Sequence, residues 1–335
     1  MVTARQRVLA ALNHEQPDKV PYHVGFTQRM HERMAAFYGD SDFAAGLGNC
    51  LLTLSCEPAD AWREVAPDVH EDQFGVRWDR RVDKDIGVVC NRLVSPESLD
   101  DYEMPDPDEP SRYAGFEPAL AANRHLFAVA NLGFSLFERA WTLAGMEQVL
   151  MAMVADKGFV HALLDRILGF NLRVIENACR YGIDAMMFGD DWGQQRGLIM
   201  GPHLWREFIR PRVERMYGAV RARGKRVFIH SCGKVDELFP DLIECGLNVF
   251  NPFQPEVMDV FAMKRRYGDR LSFYGGISTQ RTLPYGTVDE VRDEVGRLLA
   301  GVGREGGYIA APAHAIPPDA RPENVAAMIE TLQDQ

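Results

Sequence analysis

From residue 125 onward the chain repeats one rhythm: a short apolar run, then a helical pattern. The runs lie at 126–131, 185–190, 227–232, 249–251, 271–275 and 308–314, and the helical stretches at about 145–180, 203–223, 234–245, 256–266, 287–302 and 321–333. Strands alternating with helices of this length read as parallel strands joined by helical crossovers. Two earlier runs, 20–26 and 51–56, bring the strand count to eight. Eight such strands predict an α/β fold of one class, a closed (β/α)8 TIM barrel, over an open doubly wound sheet. Residues 1–335 then make a single domain. The stretch 62–112 breaks the rhythm, being rich in charge, proline and aspartate. Alternation of Phe74, Val76 and Trp78 predicts a β-hairpin there. It reads either as an inserted lid over one end of the barrel or as a plain surface loop region.

In a barrel the C-terminal strand ends share one face, where active sites are built. The polar residues concentrate at those ends: Asn131, Asp190, Asp191, His230, Cys232, Asn251, Gln254 and His314. Within Val227-Phe228-Ile229-His230-Ser231-Cys232-Gly233, positions two apart face the same way, so an imidazole and a thiol stand side by side. These are the preferred ligands of zinc. His314 ends the last run and supplies a third ligand, which leaves the open position a catalytic metal needs. Two other readings stand beside this one. His230 and Cys232 are a polar strand end with a buried thiol, and His314 bonds substrate or donates a proton.

Asp190 and Asp191 follow a strand, and neighbouring side chains on a strand face opposite ways, so one of them points into the mouth. They hold a metal, orient a histidine or, with His314, act as catalytic acid and base. Trp192 and Gln194 read as substrate contacts, and Arg196 as an anion partner or a structural salt bridge. Asn251 and Gln254 offer amides to an uncharged polar substrate. Gly275 and Gly276 allow close backbone approach to a ligand or form a tight turn. Phe134 forms an apolar wall, and Glu138-Arg139 read as helix charges. A mouth lined by Asp190, Asp191, Gln194, Asn251 and Gln254 hints at a sugar-like or polyol substrate, or a methylated derivative of one.

The net charge of −11 argues against a nucleic-acid or membrane-surface binder, which needs a basic face. No apolar run reaches the 18 residues of a membrane span, and the N-terminus lacks a signal-peptide pattern. Six sparse cysteines in a chain this long read as reduced thiols. These features describe a cytoplasmic enzyme-like protein.

The same residues, in this order, resemble the uroporphyrinogen decarboxylase superfamily. The resemblance rests on Thr3–Leu12, Val20-Pro21, Pro202-His203-Leu204-Trp205-Arg206-Glu207-Phe208-Ile209-Arg210-Pro211, Tyr274-Gly275-Gly276-Ile277 and Pro317-Pro318-Asp319-Ala320-Arg321-Pro322-Glu323-Asn324-Val325. It implies the (β/α)8 fold and one of two chemistries. One branch decarboxylates uroporphyrinogen without a cofactor, gripping it with an arginine-rich stretch after the first strand. Here the matching stretch, residues 22–30, carries only Arg29. The other branch comprises zinc methyltransferases that work with corrinoid proteins and carry a His-x-Cys pair and a later cysteine. His230 and Cys232 match the pair, and His314 stands where the later cysteine falls. The resemblance therefore implies Zn2+ on His230, Cys232 and His314, a corrinoid supplied by a partner protein, a small-molecule substrate and a homodimer. Two alternatives stay open. One is a metal-free decarboxylase or lyase of a smaller carboxylate, using Asp190, Asp191 and His314. The other is a non-catalytic ligand-binding barrel.

Overall fold

The computed structural model describes residues 2–335. Seven strands form one parallel sheet in chain order: β1 (Leu51–Ser55), β2 (Phe127–Leu132), β3 (Ala185–Gly189), β4 (Arg226–His230), β5 (Val249–Phe253), β6 (Ser272–Ile277) and β7 (Tyr308–Pro312). β5 and β7 are buried along their whole length, as strands covered by helices on one face and by the curl of the sheet on the other must be. Helices such as Lys157–Ala178, Arg210–Arg221 and Val288–Gly301 make the crossovers.

The expected eighth strand is not one. Residues 20–26 lie between β7 and β1 and touch the sheet only at isolated points. His23 N donates to Ala310 O (3.0 Å), Ala310 N to Pro21 O (2.9 Å) and Cys50 N to Tyr22 O (2.9 Å). Two local features stop a regular ladder. Pro21 has no N–H to give. The side-chain amide of Asn49 takes both backbone groups of Val24, accepting from its N–H at 2.7 Å and donating to its carbonyl at 3.0 Å. Those groups are satisfied without a neighbouring strand. The fold is thus barrel-like, with a curled seven-stranded sheet in place of a fully closed eight-stranded barrel.

The segment after β1 folds as a four-stranded antiparallel sheet (Arg63–Ala66, Val69–Glu71, Arg77–Asp79, Val88–Val89), larger than the single hairpin expected. Phe74, Val76 and Trp78 are buried, as their alternation requires. Asp72 ties this sheet to the barrel. Its carboxylate accepts from Phe74 N (2.8 Å), Val76 N (3.0 Å), the Trp78 indole (3.3 Å) and Arg139 Nη1 (2.9 Å). Arg139, read from the sequence as a helix charge, is buried, with its guanidinium 3.7 Å from the centre of the Phe74 ring. No helix among the described residues is long and apolar enough to cross a membrane.

Removing one member of a buried ion pair leaves the other charged and unpaired, at a cost of about 3–5 kcal/mol. Arg139→Leu is expected to destabilise the fold by about that amount. Arg139→Leu combined with Asp72→Leu should cost clearly less than the sum of the single changes. Urea unfolding of the three variants checks both statements.

Candidate metal centre

The end of β4 and the loop after β7 bring together the three residues that the sequence singles out. One ligand atom each from His230, Cys232 and His314 lies within 4.8 Å of the others. Cys232 Sγ is 3.4 Å from His230 Nε2, and the two imidazole centres are 5.3 Å apart at 74°. Bond lengths of zinc to nitrogen and sulfur place tetrahedral ligands about 3.3–3.8 Å from one another. A small contraction of the cluster reaches that spacing.

His230 is aimed by its other nitrogen. Nδ1 lies 2.7 Å from Asn251 Oδ1, while Asn251 Nδ2 donates to Tyr274 O at 3.0 Å. The second bond fixes which way the amide faces, so Nδ1 carries the proton and Nε2 presents its lone pair to the cluster. Cys232 is held through its backbone. Its N–H donates to Asp191 Oδ1 (2.7 Å), and the next N–H, of Gly233, donates to Gln254 Oε1 (2.7 Å). The loop also crosses a second loop at van der Waals limits. A Cβ on Gly233 (φ +85°) would fall 2.5 Å from Gly193 C, and one on Gly193 would fall 2.6 Å from Cys232 O.

The two aspartates separate as the strand geometry requires. Asp190 points into the core and is fully buried. It accepts from the N–H groups of Leu136 (3.3 Å), Phe137 (3.1 Å) and Glu138 (2.8 Å), at the start of the helix Phe137–Ala144, and from the Trp192 indole (2.6 Å). Burial pushes its carboxyl up to about 6, against the pull of those bonds. Asp190 therefore positions the helix and does not face the cavity. Asp191 faces Cys232. Glu138, which sequence reasoning left as a helix charge, stands close to both aspartates. Burial first, then Asp191 and Asp190, push its carboxyl well above the ordinary range. The helix start that Asp190 caps is what places it, and no sequence pattern announces that contact.

Arg139, paired with Asp72, pulls the Glu138 carboxyl back down only as the smallest of these influences. Burial, followed by Asp191 and Glu138, pushes the Cys232 thiol up, and burial together with His230 pushes the His314 imidazole down. The first effect favours a protonated thiol and the second a neutral His314. A cavity of about 520 Å³ opens onto Cys232 and His314 and is lined by Gln194, Gln195, Gln254, Thr279 and Gln280 among others.

Several expected substrate contacts lie elsewhere. Trp192 is fully buried, packed on Trp205 at 5.3 Å, because its indole serves Asp190. Asn251 is spent on His230. Gly275 and Gly276 are buried in the sheet, and their missing Cβ atoms make room for Phe253 N (2.6 Å) and the Tyr308 hydroxyl (2.7 Å). Arg196 is exposed and does not line the cavity. Phe134, in the left-handed region at φ 49°, packs between Trp78 (5.2 Å) and Trp141 (6.4 Å). Gln194 and Gln254 do line the cavity.

Groups that orient a metal-bound histidine are worth about 10–100-fold in metal affinity. Asn251→Ala is expected to weaken metal binding by about that factor, and Gly233→Ala to weaken it further by displacing Cys232. Competition against a chromogenic chelator, with circular dichroism to confirm folding, measures both.

The family model described as uroporphyrinogen decarboxylase (URO-D) matches residues 71–335. A methylcobamide:CoM methyltransferase, MtaA, of Methanosarcina barkeri is 30% identical over 132 residues, 39% of this chain and 36% of that protein. A uroporphyrinogen decarboxylase of Methylococcus capsulatus is 24% identical over 245 residues, 69% of this chain and 67% of that protein. The chain thus spans little more than a third of the first relative and about two thirds of the second. A methyltransferase from Methanosarcina mazei shares the fold, with a TM-score of 0.75 at 19% identity, covering 100% of this chain and 99% of that one. These relatives are enzymes, and with the family model matching most of its length the chain belongs to the uroporphyrinogen decarboxylase family.

Proposed function

We propose that the protein is a zinc-dependent methyltransferase or demethylase that moves a methyl group between a small molecule and a corrinoid carried by a partner protein. The observation that carries this reading is the convergence of His230, Cys232 and His314 within 4.8 Å, with the Asp191 carboxylate bonded to the Cys232 backbone. The likeness to the M. barkeri methyltransferase supports it, although that likeness spans only part of either chain.

His230, Cys232 and His314 would hold the metal. When bound, zinc supplies a Lewis acid with one open position, able to lower the pKa of a thiol or water placed there. The remaining work belongs to side chains of this protein. Asn251 accepts from His230 Nδ1 and so aims Nε2 inward. Asp191 accepts from the Cys232 backbone N–H and so fixes the loop that carries the thiol. Gln194, Gln254 and Gln280 bind the small molecule in the adjoining cavity.

A second reading, metal-free decarboxylation, draws on the decarboxylase relatives, which match across about 69% of the chain. Carboxylate substrates call for arginine clamps. Arg29 is exposed, and no arginine or lysine lines the cavity. The first reading therefore fits the site better.

Protein purified without chelator or affinity histidines is expected to carry close to one zinc per chain by elemental analysis. His230→Ala, Cys232→Ala and His314→Ala should each lose it. Zinc lost only in the first two would make His314 a substrate contact or acid. A metal-free parent that takes up no added zinc would sink the proposal in favour of the decarboxylase reading.

A further inference from the structure

We infer that the cavity beside the metal cluster selects an uncharged, hydrogen-bonding small molecule and turns away charged ones, anions above all. This inference rests on the metal reading above and adds the chemical class of the substrate. Its basis is the composition of the wall. The cavity of about 520 Å³ is lined by Gly193, Gln194, Gln195, Cys232, Gly233, Gln254, Thr279, Gln280, His314, Ala315 and Pro317. Four glutamine amides and a hydroxyl stand in that wall, with no charged side chain of either sign. Gln194, Gln195 and Gln280 are exposed to the cavity mouth. Gln254 is buried, and because its Oε1 accepts from Gly233 N, its amide N–H groups remain to donate.

The neighbouring charges stand outside the wall, Glu256 among them, accepting from Gln280 N at 3.4 Å. Lys234 pairs with Asp236 at 3.1 Å, and Arg281 Nη2 donates to Pro255 O at 3.4 Å. A charged terminus entering this cavity loses hydration and meets no opposite charge, whereas a hydroxyl or amide exchanges its water bonds for amide bonds. Asp191 lies behind the metal ligands, bonded to Cys232 N at 2.7 Å, and its carboxylate adds to the cost of an anion. The wall that the structure presents is therefore unsuited to a carboxylate- or sulfonate-bearing partner.

Three thiols of similar length separate the possibilities: 2-mercaptoethanol (neutral), mercaptoacetate (anionic) and cysteamine (cationic). Cobalt(II) is loaded in place of zinc, and the visible spectrum follows each thiol as it joins the metal. The neutral thiol is expected to bind at least tenfold tighter than mercaptoacetate, and tighter than cysteamine. Gln280→Arg places a cation in the exposed wall without touching the metal ligands, and should raise mercaptoacetate affinity at least tenfold. Mercaptoacetate binding as well as the neutral thiol, with no gain in Gln280→Arg, would overturn the inference while leaving the metal site intact. Cysteamine as the tightest ligand would replace an uncharged substrate with a cationic one. Failure to take up cobalt at all would overturn the metal reading, and this inference with it.

Discussion

The hydrogen bond between His230 Nδ1 and Asn251 Oδ1, 2.7 Å long, decides what the strand ends can do. An imidazole can turn either nitrogen toward Cys232, and only an unprotonated one can accept a metal. Asn251 removes the choice, because its amide is itself pinned to the Tyr274 carbonyl. β4, β5 and β6 are adjacent in the sheet, so the chain of bonds runs straight across three neighbouring strands. The parallel sheet thereby acts as a ruler. It sets the spacing of His230, Asn251 and Tyr274, and with it the direction of one lone pair.

Charge completes the argument. A thiol, two imidazoles and the acids Asp191 and Glu138 meet at the cluster, and like charges brought this close disfavour one another. The pKa directions show how the protein tolerates it: Cys232 and Glu138 are pushed toward their protonated, uncharged forms and His314 toward its neutral form. A divalent ion would reverse these pressures in one step. Asp190 lies outside this balance. Its four donors make it the fastener between the end of β3 and the helix that presents Glu138.

Much of this was legible in the residues. The alternation after residue 125 located every strand from β2 to β7, since a strand buried on both faces leaves a plain apolar run. His230, Cys232 and His314 were recognisable because ligand chemistry is a property of residue type and strand ends share a face. What escaped was set by hydrogen bonds between distant segments. Residues 20–26 are as apolar as a strand, but Asn49 satisfies Val24 and Pro21 offers no donor, so no ladder forms. Trp192 looks like a ligand wall beside two aspartates until its indole is seen to serve Asp190. Asn251 has the side chain of a substrate contact and the role of an aiming group. Glu138 and Arg139 are adjacent helix charges in the sequence, yet one stands close to Asp191 and Cys232 and the other is buried against Asp72.

X-ray absorption at the zinc edge of the metal-loaded protein tests the central claim most directly. The account predicts a first shell of one sulfur at about 2.3 Å and two imidazole nitrogens at about 2.0–2.1 Å, with one further light ligand in the open position. A shell without sulfur, or one with a single imidazole, would contradict the three-residue site on which the account is built.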